Sequence, residues 1–251
     1  MSESRTSKVA AATFGFWIIK ILATTLGETA GDTLSMTFDL GYLVSTLIFV
    51  AVLLGLAAVQ VRAARFYAPL YWATIIASTT AGTTLADFAT RSLGIGYAGG
   101  SALLLVLVVA SLAAWHFTTG AVKVDHLTDR TSEWFYWLTI SMSQTLGTAL
   151  GDWTADTNGL GYLGGATLFA GALAVIAVLY FATRINRVAL FWTAFILTRP
   201  LGATVGDFLD KPVAKGGLDF SRPLASAVLL AAIVLLVAVL PHRSKAALTP
   251  D

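Results

Sequence analysis

FWIIKILATTLGETAGDTLS, residues 16–35, has the apolar density of a membrane-crossing helix and yet carries Lys20, Glu28 and Asp32. The pattern returns three times without gaps: YWATIIASTTAGTTLADFAT from Tyr71, YWLTISMSQTLGTALGDWTA from Tyr136 and FWTAFILTRPLGATVGDFLD from Phe191. Each copy opens on an aromatic residue and a Trp (Trp17, Trp72, Trp137, Trp192). Ten residues after the Trp comes Gly27, Gly82, Gly147 or Gly202, and five further on comes Asp32, Asp87, Asp152 or Asp207. Asp32 to Asp87 is 55 positions, Asp87 to Asp152 is 65, and Asp152 to Asp207 is 55. A unit of two repeats has therefore been duplicated, with ten extra residues in the middle connection. Fixed-period self-similarity of this kind decides the architecture before any local propensity does.

Between the motifs lie plain apolar runs at Tyr42–Val59, Ser101–Trp115, Gly161–Phe181 and Leu224–Leu240. Some approach the roughly 20 residues that cross a bilayer core of about 30 Å. The chain is 57% apolar and only 12% charged over 251 residues. A soluble domain carries about 25% charged residues. Each repeat thus reads as a motif helix followed by a plain helix. The expectation is an all-α polytopic membrane protein with eight transmembrane helices, arranged as four parallel two-helix repeats in two tandem pairs. The chain divides into a tail over 1–12, a first repeat pair over 13–115, a connection over 116–133, a second pair over 134–241 and a tail over 242–251. The first apolar stretch does not read as a signal peptide, because it contains Lys20 and Glu28 and recurs three times.

Lys and Arg near span ends set orientation. Arg5, Lys8, Arg62, Arg65, Lys123, Arg130, Arg184, Arg187, Arg243 and Lys245 fall on the side of the termini, and Arg91, Lys211, Lys215 and Arg222 on the other. Ten against four places both termini in the cytoplasm. The Asp lies fifteen residues beyond the Trp, or about 22 Å along a helix at about 1.5 Å per residue. The four Asp then share one level in the outer part of the membrane.

Gly27/Gly31, Gly147/Gly151 and Gly202/Gly206 are small residues four apart, and Gly82 pairs with Ala86. Such pairs let helix backbones approach closely, so these glycines read as helix-packing elements. Packing does not account for the carboxylates. An acidic side chain at mid-membrane costs roughly 2.5–3.5 kcal/mol on insertion scales. Asp32, Asp87, Asp152, Asp207 and Glu28 are the candidate ion- or proton-binding residues and the candidate metal ligands. Thr24, Thr25, Thr79, Thr80, Thr83, Thr84, Thr145, Thr148 and Gln144 are candidates to line a polar site around the Gly. Carboxylate, hydroxyl and carbonyl oxygens suit hard cations and protons. Lys20 and Arg199 are the candidate charge partners of the carboxylates. Structural ion pairing and helix capping at the interface remain competing roles for the same Asp residues. Pro200 is expected to kink its helix.

The sequence also excludes. With no Cys, disulfides, thiolate nucleophiles and thiolate metal sites are absent. A net charge of only +2 argues against nucleic acid as a partner. His116, His126 and His242 sit near helix ends and read as solvated. Asp125, Asp129 and Glu133 recur every four residues in the central connection and read as a solvated acidic face. No H-E-x-x-H or G-x-S-x-G motif is present, so no enzyme and no resident cofactor are expected.

Four copies of W-x9-G-x3-[GA]-D, each followed by a second apolar span, resemble a bacterial integral-membrane family built from a tandem repeat of unknown function. The resemblance spans about residues 14–240 and implies this fold in the bacterial inner membrane. The segment ETAGDT (Glu28 to Thr33) is also similar to the E-x-G-D-[KR]-[ST] signature of cation/proton exchangers. It is one residue longer, lacks the basic residue after the Asp, and sits in parallel rather than inverted repeats. The functional expectation is a transporter exporting a hard divalent cation such as manganese by proton antiport. A cation channel or small-solute permease, and a structural membrane protein, are the alternatives. The lipid bilayer, the transported cation and protons are the expected partners, and a homo-oligomer is compatible with the pattern.

Overall fold

The computed structural model describes all residues except 1–7, 123–126, 128, 158 and 243–251. Among the described residues the chain forms eight α-helices: α1 (Phe14–Asp32), α2 (Gly41–Arg62), α3 (Ala68–Asp87), α4 (Tyr97–Thr119), α5 (Arg130–Asp152), α6 (Gly161–Ala182), α7 (Arg187–Asp210) and α8 (Arg222–Val239). The odd-numbered helices carry the motif and the even-numbered ones are the plain partners. Local chemistry starts three motif helices sharply: Thr13, Asp129 and Asn186 each accept a first-turn N–H, the usual remedy for orphan donors there. Helix α4 runs on to Thr119 and α5 begins at Arg130, so both extend into the connection expected over 116–133. Asp125, His126, Lys123, Arg5, Arg243 and Lys245 lie outside the described residues.

The motif helices form a closed ring in the order α1, α3, α5, α7, with α7 returning to α1. The plain helices sit outside it. Each packs chiefly on the motif helix of the following repeat: α2 on α3, α4 on α5, α6 on α7, and α8 on α1. Every joint between repeats is therefore covered by an outer helix, and α8 closes the circle.

Three contacts repeat around this circle. Phe16 meets Trp72, Tyr71 meets Trp137, and Tyr136 meets Trp192, with ring centroids 5.5, 5.8 and 6.2 Å apart; Phe191 closes the set on Trp17 at 5.9 Å. The motif glycines make the second set. A Cβ on Gly27 would lie 3.0 Å from the Thr79 carbonyl carbon, one on Gly82 the same distance from that of Gln144, and one on Gly202 2.7 Å from that of Thr24. On Gly147 it would meet the Arg199 stem and Pro200. Each Gly thus receives the residue three before the Gly of the next repeat. In the third set, Gly31, Gly151 and Gly206 face Thr83, Ala203 and Glu28, the residues just after the next repeat's Gly. These glycines are contact points between backbones, as small-residue pairs in membrane helices are.

The motif helices do not break at their glycines, and α7 runs through Pro200. The irregular turns come after the Asp instead: Thr33–Thr37, Phe88–Ser92 and Trp153–Thr157 are π-helical. Each leads to a glycine with positive φ at the start of the outer helix, namely Gly41 (72°), Gly96 (74°) and Gly161 (65°). That conformation disfavours any residue with a Cβ and accounts for the recurring Gly-Tyr.

Five helices, α2, α4, α6, α7 and α8, are long and apolar enough to cross a membrane. The outer helices expose Leu47, Leu54, Val106, Val109, Leu163, Val175, Val228 and Leu235. An apolar surface of that extent is a lipid-facing one, and the chain is a membrane protein. Helices α1, α3 and α5 carry more polar residues and are covered on the outside by α8, α2 and α4.

At the Trp end the ring is sealed. Tyr71 and Tyr136 share a hydrogen bond of 2.8 Å between their hydroxyls, and Val9, Ala10 and Leu127 pack into the same aromatic core. Lys8 donates to the carbonyls of Gln60, Val61 and Ala63 at the end of α2 and pairs with Glu133 at 2.7 Å. Glu133 is therefore buried rather than part of a solvated acidic face, and Asp129 is spent as a helix cap. His242 packs edge-on against Trp72 at 6.4 Å, and His116 lies in the last turn of α4.

Candidate functional site

Equivalent positions of the four repeats form layers along the ring axis. Beyond the aromatic end comes Lys20, Ile75, Ile140 and Phe195, then Thr24, Thr79, Gln144 and Arg199, then Glu28, Thr83, Thr148 and Ala203, and last the four Asp. Every one of these residues is buried. The layers become more polar toward the Asp end. The symmetry breaks where the sequence differs between repeats.

Thr24 and Thr79 keep the symmetric pattern. Their hydroxyls donate across the joint to the carbonyls of Thr198 and Ala23, both at 3.1 Å. Gln144 and Arg199 occupy the equivalent places with longer, polar side chains, and both engage the diagonally opposite helix. Arg199 on α7 donates to Thr83 on α3 and pairs with Glu28 at 2.9 Å. Lys20 on α1 donates to Gln144 on α5 at 3.5 Å and lies 4.1 Å from the Phe195 ring centroid. Two cationic side chains thus cross the axis.

This corrects the expected charge pairing. Arg199 serves Glu28, but none of the four Asp. Lys20 makes no ion pair among the described residues. The Asp partners are Arg91 and Lys211, each four residues after its own motif Asp. Arg91 joins Asp87 (3.0 Å) to Asp152 (3.1 Å), tying α3 to α5. Lys211 joins Asp32 to Asp207 (3.0 Å), tying α7 to α1. Asp32 and Asp152 are followed at the same offset by Met36 and Asp156, so one cation serves two repeats. Just beyond the end of α7, burial of the Lys211 ammonium works against its charge. Asp207, Asp32 and Asp210 outweigh that and hold its pKa well above the ordinary lysine range.

Asp210, three residues after Asp207, is the acidic residue that sequence reasoning missed. It is buried and lies 3.4 Å from Arg222, which also reaches Asp32 at 3.8 Å. Its signal was its spacing: Asp207 and Asp210 are neighbours on one helix face.

The expected threonine lining is partly realised. Thr83 reaches Glu28 at 3.4 Å. Thr25, Thr80 and Thr145 instead donate to the carbonyls of Ile21, Ile76 and Ser141 one turn back in their own helices. Thr84 and Thr148 do the same to Thr80 and Gln144.

Two groups of carboxylates converge. Glu28, Asp152 and Asp207 each offer an oxygen within 4.8 Å of the others, and so do Asp32, Asp207 and Asp210. Asp87 stays outside both sets. Buried oxygens in this arrangement match what a hard cation requires. Among the described residues Asp32 Oδ1 and Asp152 Oδ1 have no hydrogen-bond partner, so each triad includes a carboxylate with unused acceptor capacity. Glu28 and Arg199 balance one another. The remaining five carboxylates, Asp32, Asp87, Asp152, Asp207 and Asp210, face three cations, Arg91, Lys211 and Arg222. The layer thus holds two more carboxyl groups than cationic ones.

The fold and this charged layer define a helical membrane protein built from four repeats around a polar axis. The repeat of unknown function DUF347 matches at residues 15–66, 70–121, 135–186 and 190–245, and the chain belongs to that family. No curated protein and no solved structure matches it.

Proposed function

We propose that the protein is a carrier for a hard divalent cation, such as manganese, and exports it in exchange for protons. The observation that carries this reading is the convergence of Glu28, Asp152 and Asp207 within 4.8 Å inside the buried ring. The excess of two carboxylates over cations in that layer supports a divalent cargo. An ion at the triad competes with Arg199 for Glu28, so binding and the release of an axis-crossing side chain are linked. When the ion leaves, Arg199 or a proton restores the charge balance. In this reading all eight helices span the bacterial inner membrane, and both termini are cytoplasmic. The Asp end then opens outward, and the aromatic end is the closed cytoplasmic gate. Ion sites at the interface between repeats fit the general plan of carriers.

A cation channel is the second reading. Arg199 and Lys20 across the axis support a carrier over a pore, because a permeating cation would meet both. The test is elemental analysis of whole cells under a panel of metal loads. Cells with the wild type are compared with cells carrying the Asp32/Asp87/Asp152/Asp207→Asn variant at matched membrane levels. Depletion of one hard cation in the wild type alone is the expected result. Identical profiles under every load remove metal export.

A further inference from the structure

A cavity of about 530 Å³ lies at the Asp end. Four of its lining residues are cationic (Arg91, Lys211, Lys215 and Arg222), against a single carboxylate, Asp156. We propose that this cavity binds a small oxyanion of the carboxylate or phosphate class, separately from the cation triads beneath it.

Three features support an anion here. First, the cationic groups are not all used. Arg91 and Lys211 are engaged with the Asp layer, but Lys215 makes no hydrogen bond or ion pair among the described residues. Arg222 makes only long ion pairs, from Nε at 3.4 and 3.8 Å. Second, two helices begin at the cavity wall. Gly161 opens α6 and Arg222 opens α8, and both line the space. Neither Leu160 nor Ser221, the residues that precede them, makes a side-chain capping bond, and the first N–H groups of a helix, which at α8 do not include Pro223, stand at the positive end of its dipole. Third, the volume lies within the range of about 300–1,000 Å³ common for small-molecule sites. Helix N-termini combined with Arg and Lys are a recurrent answer to oxyanions.

The site also adjoins the cation layer through two side chains. Arg91 and Lys211 face the cavity and clamp the four Asp. An oxyanion drawing on either cation loosens its hold on Asp152 or Asp207, so anion occupancy and cation occupancy favour one another.

The experiment uses the purified full chain in phosphatidylcholine nanodiscs with EDTA present, so it stands whether or not the protein carries a cation. Inorganic phosphate and succinate are titrated by calorimetry, with sodium chloride at matched ionic strength as control. Saturable binding of phosphate or succinate beyond the chloride control is expected. Lys215→Gln weakens it roughly three- to tenfold, and Asp156→Asn strengthens it by a similar factor, the effect of one unit charge about 6 Å away across a water-filled cavity with an effective dielectric constant of about 40–80. Repetition in phosphatidylglycerol nanodiscs separates the sources: a weaker apparent affinity there means lipid headgroups compete for the site. No saturable binding overturns the proposal, and so does binding that either variant leaves unchanged or that both shift in one direction.

Discussion

Gly202→Ala tests the ring at its tightest joint. The added Cβ would lie 2.7 Å from the Thr24 carbonyl carbon, and the Thr24 side chain would be in its way as well. An ordinary contact begins near 3.4 Å, so α7 and α1 must part by about 0.7 Å. A gap of that size forfeits a quarter to a half of each pairwise dispersion contact along the joint. Overpacking of this kind costs about 1–3 kcal/mol, occasionally more. The variant regains up to about 1 kcal/mol because Ala is the better helix former. Gly171, in the middle of α6, supplies the internal control, since nothing lies within 4 Å of a Cβ placed there. Gly171→Ala therefore keeps only the gain. At about 2–4 °C per kcal/mol for a chain of this size, Gly202→Ala should melt about 2–12 °C below Gly171→Ala, which itself melts at or a few degrees above the wild type. The assay is thermal unfolding in detergent, followed by Trp fluorescence, with both variants prepared in parallel. Equal melting temperatures for the two variants would refute the close approach of α7 and α1.

Two further outcomes follow from buried ion pairs. Arg199→Gln leaves Glu28 with only Thr83 at 3.4 Å and should lower stability by about 3–5 kcal/mol, the usual result of stranding a buried charge. Adding Glu28→Gln to that variant should recover more than half of the loss in a double-mutant melting cycle, whereas additive losses would mean the two side chains do not interact. Lys8→Ala removes three carbonyl contacts at the end of α2 and the 2.7 Å pair with Glu133. It should raise amide hydrogen exchange over residues 9–13 and leave α5 near Asp152 unchanged; protection unaltered over 9–13 would show that Lys8 does not hold the segment down.

The number of helices, their pairing in repeats and the buried role of the glycines were legible because they rest on period and residue size. The closed ring was not. Nothing local in Gly82 says that its neighbour is Gln144 rather than Thr24; that depends on which repeats are adjacent in space. The placing of α2 on α3, in the next repeat, is hidden for the same reason. The charge pairing failed for a different cause. Lys20 and Arg199 lie within the apolar helices and drew attention as the unusual cations. Arg91 and Lys211 read as interfacial residues, although each stands one helical turn after a motif Asp in repeats two and four. That i, i+4 spacing was a usable signal. Lys20 could not have been placed from sequence, because its setting is made by Gln144 and Phe195 from two other repeats.

Cation transport by this protein requires that the converging carboxylates hold a cation. The most direct measurement is equilibrium binding of Mn²⁺ to the purified protein in nanodiscs, followed by electron paramagnetic resonance of the free ion. The wild type is compared with Asp152→Asn and with Asp87→Asn, which alters the Asp outside both triads. Saturable binding is expected in the wild type, with loss of at least tenfold in affinity for Asp152→Asn and a smaller change for Asp87→Asn. Absence of saturable binding by the wild type, or equal affinities in all three proteins, would contradict cation transport through these carboxylates.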